Sequence, residues 1–236
     1  MKTNVQNRRG FTLVELLVVI VIIASLAGLT APMVIRQRKK ADQTEAINNI
    51  RQIGFAMLEF DSDYGTYPGA TALAQLDGTA DVVGTAGSDS NEYFKMFFQA
   101  GLTQSEAMFY CKAKGTIKPD GVADSTAEAL KGGEVGFAYV SDGTEGFSSA
   151  GNPARPLIMA PLVEGETTAL FDPDPFDKNA VLLRGDNSVT SLKIKTDGTV
   201  AQGGVNPFTP GDGTIWGAGT TAITVNPPAA LAAATP

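Results

Sequence analysis

One carboxylate, Glu15, stands inside an apolar run of 25 residues from Phe11 to Ile35 that carries no other charge. Leaving it alone in hydrocarbon costs on the order of 3 kcal/mol, so its presence calls for a partner or a function. Three more acids, Asp172, Asp174 and Asp177, sit on the segment Phe171-Asp172-Pro173-Asp174-Pro175-Phe176-Asp177. Carboxylates on a proline-stiffened turn supply the hard oxygen ligands that calcium takes, which makes this the candidate calcium loop. Its spacing is not that of an EF-hand, and a solvated acidic turn is the competing reading. Cys111 is the only cysteine. No intramolecular disulfide can form, and a buried apolar role is the simplest account of it.

Other chemistry is excluded by what the chain lacks. It holds no histidine, which removes histidine-based triads, histidine general bases and histidine-ligated zinc. No phosphate-binding loop or dinucleotide fingerprint occurs. The formal charge is −7, and without the first ten residues 15 basic groups face 25 acids. So acidic a surface repels phosphate backbones, so general nucleic-acid binding is not expected. Paired carboxylates occur only in loops and gain no support as a glycosidase pair. The expectation is a non-enzymatic protein with no cofactor apart from calcium at the acidic loop.

These groups must be positioned by a few elements. The run from Phe11 to Ile35 makes roughly 37 Å of helix, more than the roughly 30 Å of a bilayer core. Arg8 and Arg9 precede it, and Arg36, Arg38, Lys39 and Lys40 follow it, so the count of flanking cations leaves the orientation open. Three readings compete. A secretory signal would have a shorter apolar region, and an acid four residues into it is unusual. A plain membrane anchor accounts for the length and leaves Glu15 unexplained. The third reading accounts for every residue.

The segment Gly10-Phe11-Thr12-Leu13-Val14-Glu15-Leu16, after a short basic leader and before an unbroken apolar helix, closely resembles the class III signal of type IV pilins and type II secretion pseudopilins. The resemblance implies cleavage between Gly10 and Phe11 by a membrane prepilin peptidase, methylation of the new Phe11 amine, and a cytoplasmic leader. Chemistry is consistent with this. Glycine before the scissile bond leaves the backbone unhindered, and cleavage creates an amine about one helical turn from Glu15. In a filament Glu15 can meet the Phe11 amine of a neighbouring subunit. Such a buried pair adds little net stability, but leaving either partner alone costs roughly 3 to 5 kcal/mol, so Glu15 reads as a register device. Pro32 opposes the carbonyl of Gly28, itself a weak helix former, which favours a kink or a melted stretch between them. The resemblance extends there, because filament subunits of this family often carry Gly and Pro at similar offsets. The alternative is a tolerated membrane-helix proline.

Beyond the cations, Ala46, Ile50, Ile53, Met57, Phe60 and Tyr64 follow the rhythm of one helical face, so the helix continues as an amphipathic element. Gly65 caps it and Pro68 forbids continuation. A short helix is expected over residues 91 to 101. Thr103-Gln104-Ser105-Glu106 reads as a capping box opening another helix through about Cys111, and residues 112 to 134 read as a surface loop. Strands are expected over 136–140, 157–162, 180–184, 188–194 and 199–202, the third and fourth forming a hairpin about Gly185-Asp186-Asn187.

The fold class is α+β, with a long N-terminal transmembrane and amphipathic helix packed on a small antiparallel sheet. The organisation is a leader at 1–10, a filament-core helix at 11–35, its amphipathic continuation at 36–64, a head at 65–202 and a low-complexity, flexible tail at 203–236. The segment from Phe94 to Val200 also resembles uncharacterised pilin-like proteins of the Planctomycetes and Verrucomicrobia, through Phe109-Tyr110-Cys111, Gly136-Phe137-Ala138-Tyr139-Val140 and the run from Val181 to Val189.

What the resemblance implies is a structural filament subunit, either of a type II secretion pseudopilus or of a type IV pilus. Its site residues are Gly10 and Phe11 for processing and Glu15, Gly28 and Pro32 for assembly. The implied partners are further copies, prepilin peptidase, an inner-membrane assembly platform and minor pilins or pseudopilins. The implied location is the bacterial inner membrane, single-pass with a periplasmic head. The alternative from another class is a membrane-anchored binding protein that never polymerises.

Overall fold

A computed structural model describes residues 11 to 231 apart from Ser88, Ala218 and Thr221, with the backbone alone described at 30 to 32. Its contacts divide the chain into two compact units, one ending at Arg38 and one beginning at Lys39. Helix α1, Leu13–Tyr64, runs through both. It stops where Gly65 takes a φ of 76° and donates its N–H to the Asp61 carbonyl at 2.8 Å, a left-handed cap that a side chain would resist.

Within the second unit α1 presents the expected stripe. Ala46, Ile50, Ile53, Met57 and Phe60 are buried, and Tyr64 is half-buried against the same core. Two further helices follow, α2 (Ala70–Leu73) and α3 (Ser90–Gln99). Asp89 caps α3 by accepting the Glu92 N–H at 3.1 Å. The inner face of α3 supplies Tyr93, Phe94 and Phe97, and Phe97 meets Phe60 of α1 edge-on at 5.5 Å. Phe109 stacks on Phe94 at 5.1 Å and completes the aromatic centre of the core.

The sheet has five strands, β1 (Ala138–Ser141), β2 (Pro156–Ala160), β3 (Asn179–Arg184), β4 (Val189–Lys193) and β5 (Thr224–Asn226). Their order is β4-β3-β2-β1-β5, with every pairing antiparallel. Strands β1 and β2 are buried at every residue, which means both faces of the sheet are covered. The β3–β4 hairpin forms as expected, Leu183 opposite Val189, with Asn187 at a φ of 61° in its turn. Asparagine tolerates that left-handed geometry better than most residues.

Three expectations need correction. The capping box at Thr103 to Glu106 does not form, and only a 3-10 turn appears, at Ala107–Phe109. The Glu106 carboxylate is instead drawn to the backbone of the loop beyond, accepting N–H groups from Leu130 at 2.6 Å and Gly121 at 3.0 Å. The strand expected at 199–202 reduces to two isolated bridges, Ile194 with Val200 and Gln202 with Val205.

The third correction concerns the tail. The described residues between 203 and 231 belong to the head: Trp216 is fully buried, Phe208 and Val225 nearly so, and β5 pairs with β1 at the sheet edge. Composition failed here because a few anchors hold a Gly- and Pro-rich stretch. The Arg155 guanidinium lies over the Phe147 ring at 5.2 Å and the Trp216 ring at 5.9 Å, and donates to the Trp216 carbonyl at 2.6 Å. Residues 232 to 236 lie outside the described residues.

Candidate functional site

The first turn of α1 is closed by its own side chains. Thr12 stands just before the helix and Glu15 three residues on, the geometry of a reciprocal capping box. The Glu15 Oε2 accepts the Thr12 backbone N–H at 2.9 Å and the Thr12 hydroxyl at 2.7 Å, while the Glu15 N–H donates back to Thr12 Oγ1 at 3.3 Å. The Leu16 N–H donates to the Thr12 carbonyl at 3.3 Å. Two of the amides that every helix start leaves unpaired are thereby satisfied. Glu15, read from sequence only as a group awaiting an outside partner, already has one inside its own chain. The sequence signal for it is Thr12-x-x-Glu15, the spacing of a capping box.

Around this turn the helix is apolar on all sides. Phe11 is 77% exposed and Leu13 79%, and every described side chain from Phe11 to Leu29 faces outward. A helix apolar all round needs lipid or other helices about it. α1 is the helix among the described residues that is long and apolar enough to cross a membrane. Ser25, its hydroxyl otherwise a cost in hydrocarbon, donates back to the Val21 carbonyl at 2.9 Å.

The other assembly residues fall out unevenly. Gly10 and the leader lie outside the described residues. α1 is helical through Gly28 and on past Pro32, so the isolated chain shows no melted stretch there; the Pro32 side chain lies outside the described residues. A side chain built at Gly28 would meet no atom within 4 Å.

The acidic loop is held by its buried flanks and by one ion pair. Phe171 and Phe176 are buried and pin its ends. The Asp174 carboxylate pairs with Lys39 Nζ at 2.6 Å, and Asp172 Oδ1 accepts the Asp174 N–H at 2.9 Å. Asp177 has a φ of 51°. Among the described residues, the three carboxylates whose oxygens gather within 4.8 Å are Glu106, Asp120 and Glu134.

Sequence reasoning missed that trio, since 28 positions separate its ends. Glu106 and Glu134 are 1% and 2% exposed. Their oxygens are taken by backbone N–H groups, Leu130 and Gly121 for Glu106, Lys131 at 2.7 Å and Asp120 at 3.3 Å for Glu134. Asp120 binds the Lys131 ammonium at 2.7 Å. Burial, with the nearby Glu134 and Asp120 charges, pushes the Glu106 carboxyl up against the downward pull of its two N–H donors. The set is a brace for the loop at 112–134. Cys111, also buried, donates its thiol to the Gly136 carbonyl at 3.0 Å, and burial pushes that thiol well above its ordinary range.

Comparison with known proteins places similarity at the N-terminus. Residues 5–31 match the family described as the prokaryotic N-terminal methylation motif. The chain is similar to the type II secretion system core protein G of Pectobacterium carotovorum subsp. carotovorum, 39% identical over 62 residues, which are 26% of this chain and 40% of that protein. Against the same protein of Aeromonas hydrophila it is 42% identical over 65 residues, 27% of this chain and 46% of that one. Against that of Escherichia coli (strain K12) it is 41% identical over 62 residues, 26% and 43%. The chain thus spans less than half the length of the curated relatives it matches. No solved structure matches it.

Proposed function

We propose that this chain, which matches the prokaryotic N-terminal methylation motif over residues 5–31, is a structural filament subunit of the type II secretion pseudopilin kind. The observation that carries the reading is the capped Glu15 at the head of an all-round apolar helix, within the segment that matches the N-terminal methylation motif, in a chain similar over 62 residues to type II secretion system core protein G. Cleavage after Gly10 frees the Phe11 amine, which prepilin peptidase methylates. The subunit waits in the membrane with its acid held by Thr12. On assembly Glu15 meets the Phe11 amine of an adjoining copy, and the apolar faces that lipid covered are covered by other helices. The helix opens near Gly28 and Pro32 as it enters the filament. Assembly runs from an inner-membrane platform with minor subunits, and the head lies on the periplasmic side.

The capping box makes this exchange cheap. Desolvating a bare carboxylate and losing a partner would each cost several kcal/mol. A carboxylate that holds two local hydrogen bonds until the amine arrives is not left unpaired beforehand. Its role is positional and needs no catalytic group.

The test is expression beside a prepilin peptidase and the assembly machinery, followed by intact-mass analysis and sedimentation of sheared fibres. A mature chain beginning at methylated Phe11, present in the fibre fraction and lost from it in Glu15→Val, is expected. A retained leader, or normal fibres from Glu15→Val, overturns the reading.

A further inference from the structure

The unit from Lys39 onward holds 13 basic groups against 24 acids, so an anionic surface repels it as a whole. Its cations are not spread evenly. Strand β4 runs along α1: the Asn187 side chain abuts Gly54, and Gln43 Nε2 donates to Ser191 Oγ at 2.7 Å. Side chains two apart on a strand share a face, and each pair advances about 6.6 Å. Lys193, and Lys195 beyond the Ile194 bridge to Val200, therefore follow Ser191 on the α1 side, toward the Lys39 end of the helix.

Lys178 stands at the same end of the sheet, opposite Ile194, whose N–H donates to its carbonyl at 3.0 Å, and so on the alternate side of the strand from Lys193. Lys40, Lys178, Lys193 and Lys195 are exposed, and among the described residues none has a carboxylate within 4.0 Å. Two of the acids at this end are ion-paired. Asp174 is paired with Lys39 and Asp42 with Lys112. Asp172 is bound to the Asp174 N–H, and Asp197 is turned onto Thr199. Those two and Asp177 keep their charge, so four unpaired ammonium groups face three unpaired carboxylates among the described residues at this end. The rest of the head is strongly acidic.

Chain connectivity says what lies close by. Lys39 follows Ile35, the last residue of the apolar run, by four positions, a span of at most about 14 Å however the chain bends. We propose that Lys40, Lys178, Lys193 and Lys195 form a docking surface for the anionic headgroups of the bilayer that holds the apolar helix. The lysine end faces lipid phosphate while the acidic remainder is repelled, which sets the head on the membrane in one orientation before it joins any filament. The proposal rests on the membrane-anchoring part of the proposed function and is independent of polymerisation.

The experiment places the full chain in single-copy nanodiscs and follows lysine acetylation residue by residue by mass spectrometry. Discs of phosphatidylcholine alone are compared with discs that also contain phosphatidylglycerol. The reactivity of Lys40, Lys178, Lys193 and Lys195 should fall about fivefold with phosphatidylglycerol, the factor equivalent to roughly 1 kcal/mol per lysine at an anionic surface. Added salt should restore it, while Lys118 and Lys131 stay unchanged. Reversing the charges in Lys178→Glu with Lys193→Glu should abolish the lipid dependence at Lys40 and Lys195. Equal reactivity in both discs overturns the proposal, as does equal protection in both, which would mean that protein covers the surface. A chain that forms no fibres but shows the lipid dependence refutes the filament reading alone.

Discussion

The Asn187 amide oxygen occupies the place where a side chain at Gly54 would begin, with Leu183 Cδ1 3.0 Å from that same point. Helix α1 and the β3–β4 hairpin can approach this closely only because residue 54 ends at its Cα. Gly54→Ala should therefore lower head stability by about 1 to 3 kcal/mol, the usual cost of overpacking a filled site. Denaturant unfolding of the chain in detergent measures it. Adding Asn187→Gly, which suits the φ of 61°, should return most of the loss. An unchanged midpoint for the single variant would show that the hairpin yields at no cost.

The cap at the start of α1 is separable from the charge that completes it. Thr12→Val removes the hydroxyl that both gives to and accepts from Glu15, and should cost about 1 kcal/mol of first-turn stability, a typical value for a lost cap. Amide exchange at Leu13 to Leu16 in micelles should accelerate about fivefold, with Thr12→Ser close to the parent. Equal exchange in all three would remove the capping box from the account.

Acidity should act on the loop brace with a definite sign. The Glu106 carboxyl is raised in the folded chain, first by burial, so the folded state holds its proton more tightly than the unfolded state does. Its contribution is fully present below the unfolded carboxyl value and is lost as pH rises through the raised one. Asp77, Asp120, Asp186 and Asp197 are lowered, mainly by hydrogen bonds from Thr79, Lys131, Ser188 and Thr199, and contribute the opposite slope at lower pH. Stability should rise from strong acid, pass a maximum and decline above the ordinary glutamate range. Asp89, also raised first by burial, adds a limb of the same sign, so Glu106→Gln, though less stable throughout, should show a smaller decline, and adding Asp89→Asn should remove it. A decline undiminished in the single variant would assign it to another group.

Trp216 is the only tryptophan, so its emission reports on the C-terminal segment. Arg155 holds that segment through two rings and the Trp216 carbonyl. Arg155→Met keeps much of the stem but loses the donor, and should cost about 1.5 to 3 kcal/mol, the range for hydrogen bonds to charged groups. A red-shifted emission and faster proteolysis within 203–217 are expected before global unfolding. If emission and cleavage match the parent, the burial of Trp216 suffices without its clamp.

Local order in the chain was legible wherever one pattern decided the outcome. The α1 stripe from Ala46 to Phe60, the Gly65 stop and the turn at Gly185 to Asn187 follow from period and turn chemistry, and these lie where predicted. The Phe11 to Ile35 run declares its apolar surroundings by length alone, and Glu15 declares that it needs a partner. What tertiary structure decided is which groups far apart in sequence meet. Glu106 left the capping box its spacing offers because the fold brought the buried Leu130 amide and the amide of Gly121 within reach of its carboxylate. A Gly- and Pro-rich end became part of the head because Trp216 fits under Arg155 and β5 fits the open edge of β1. Propensity reads neighbours along the chain, whereas a buried polar group is satisfied by whichever partner the packed fold brings within reach, and composition cannot name that partner.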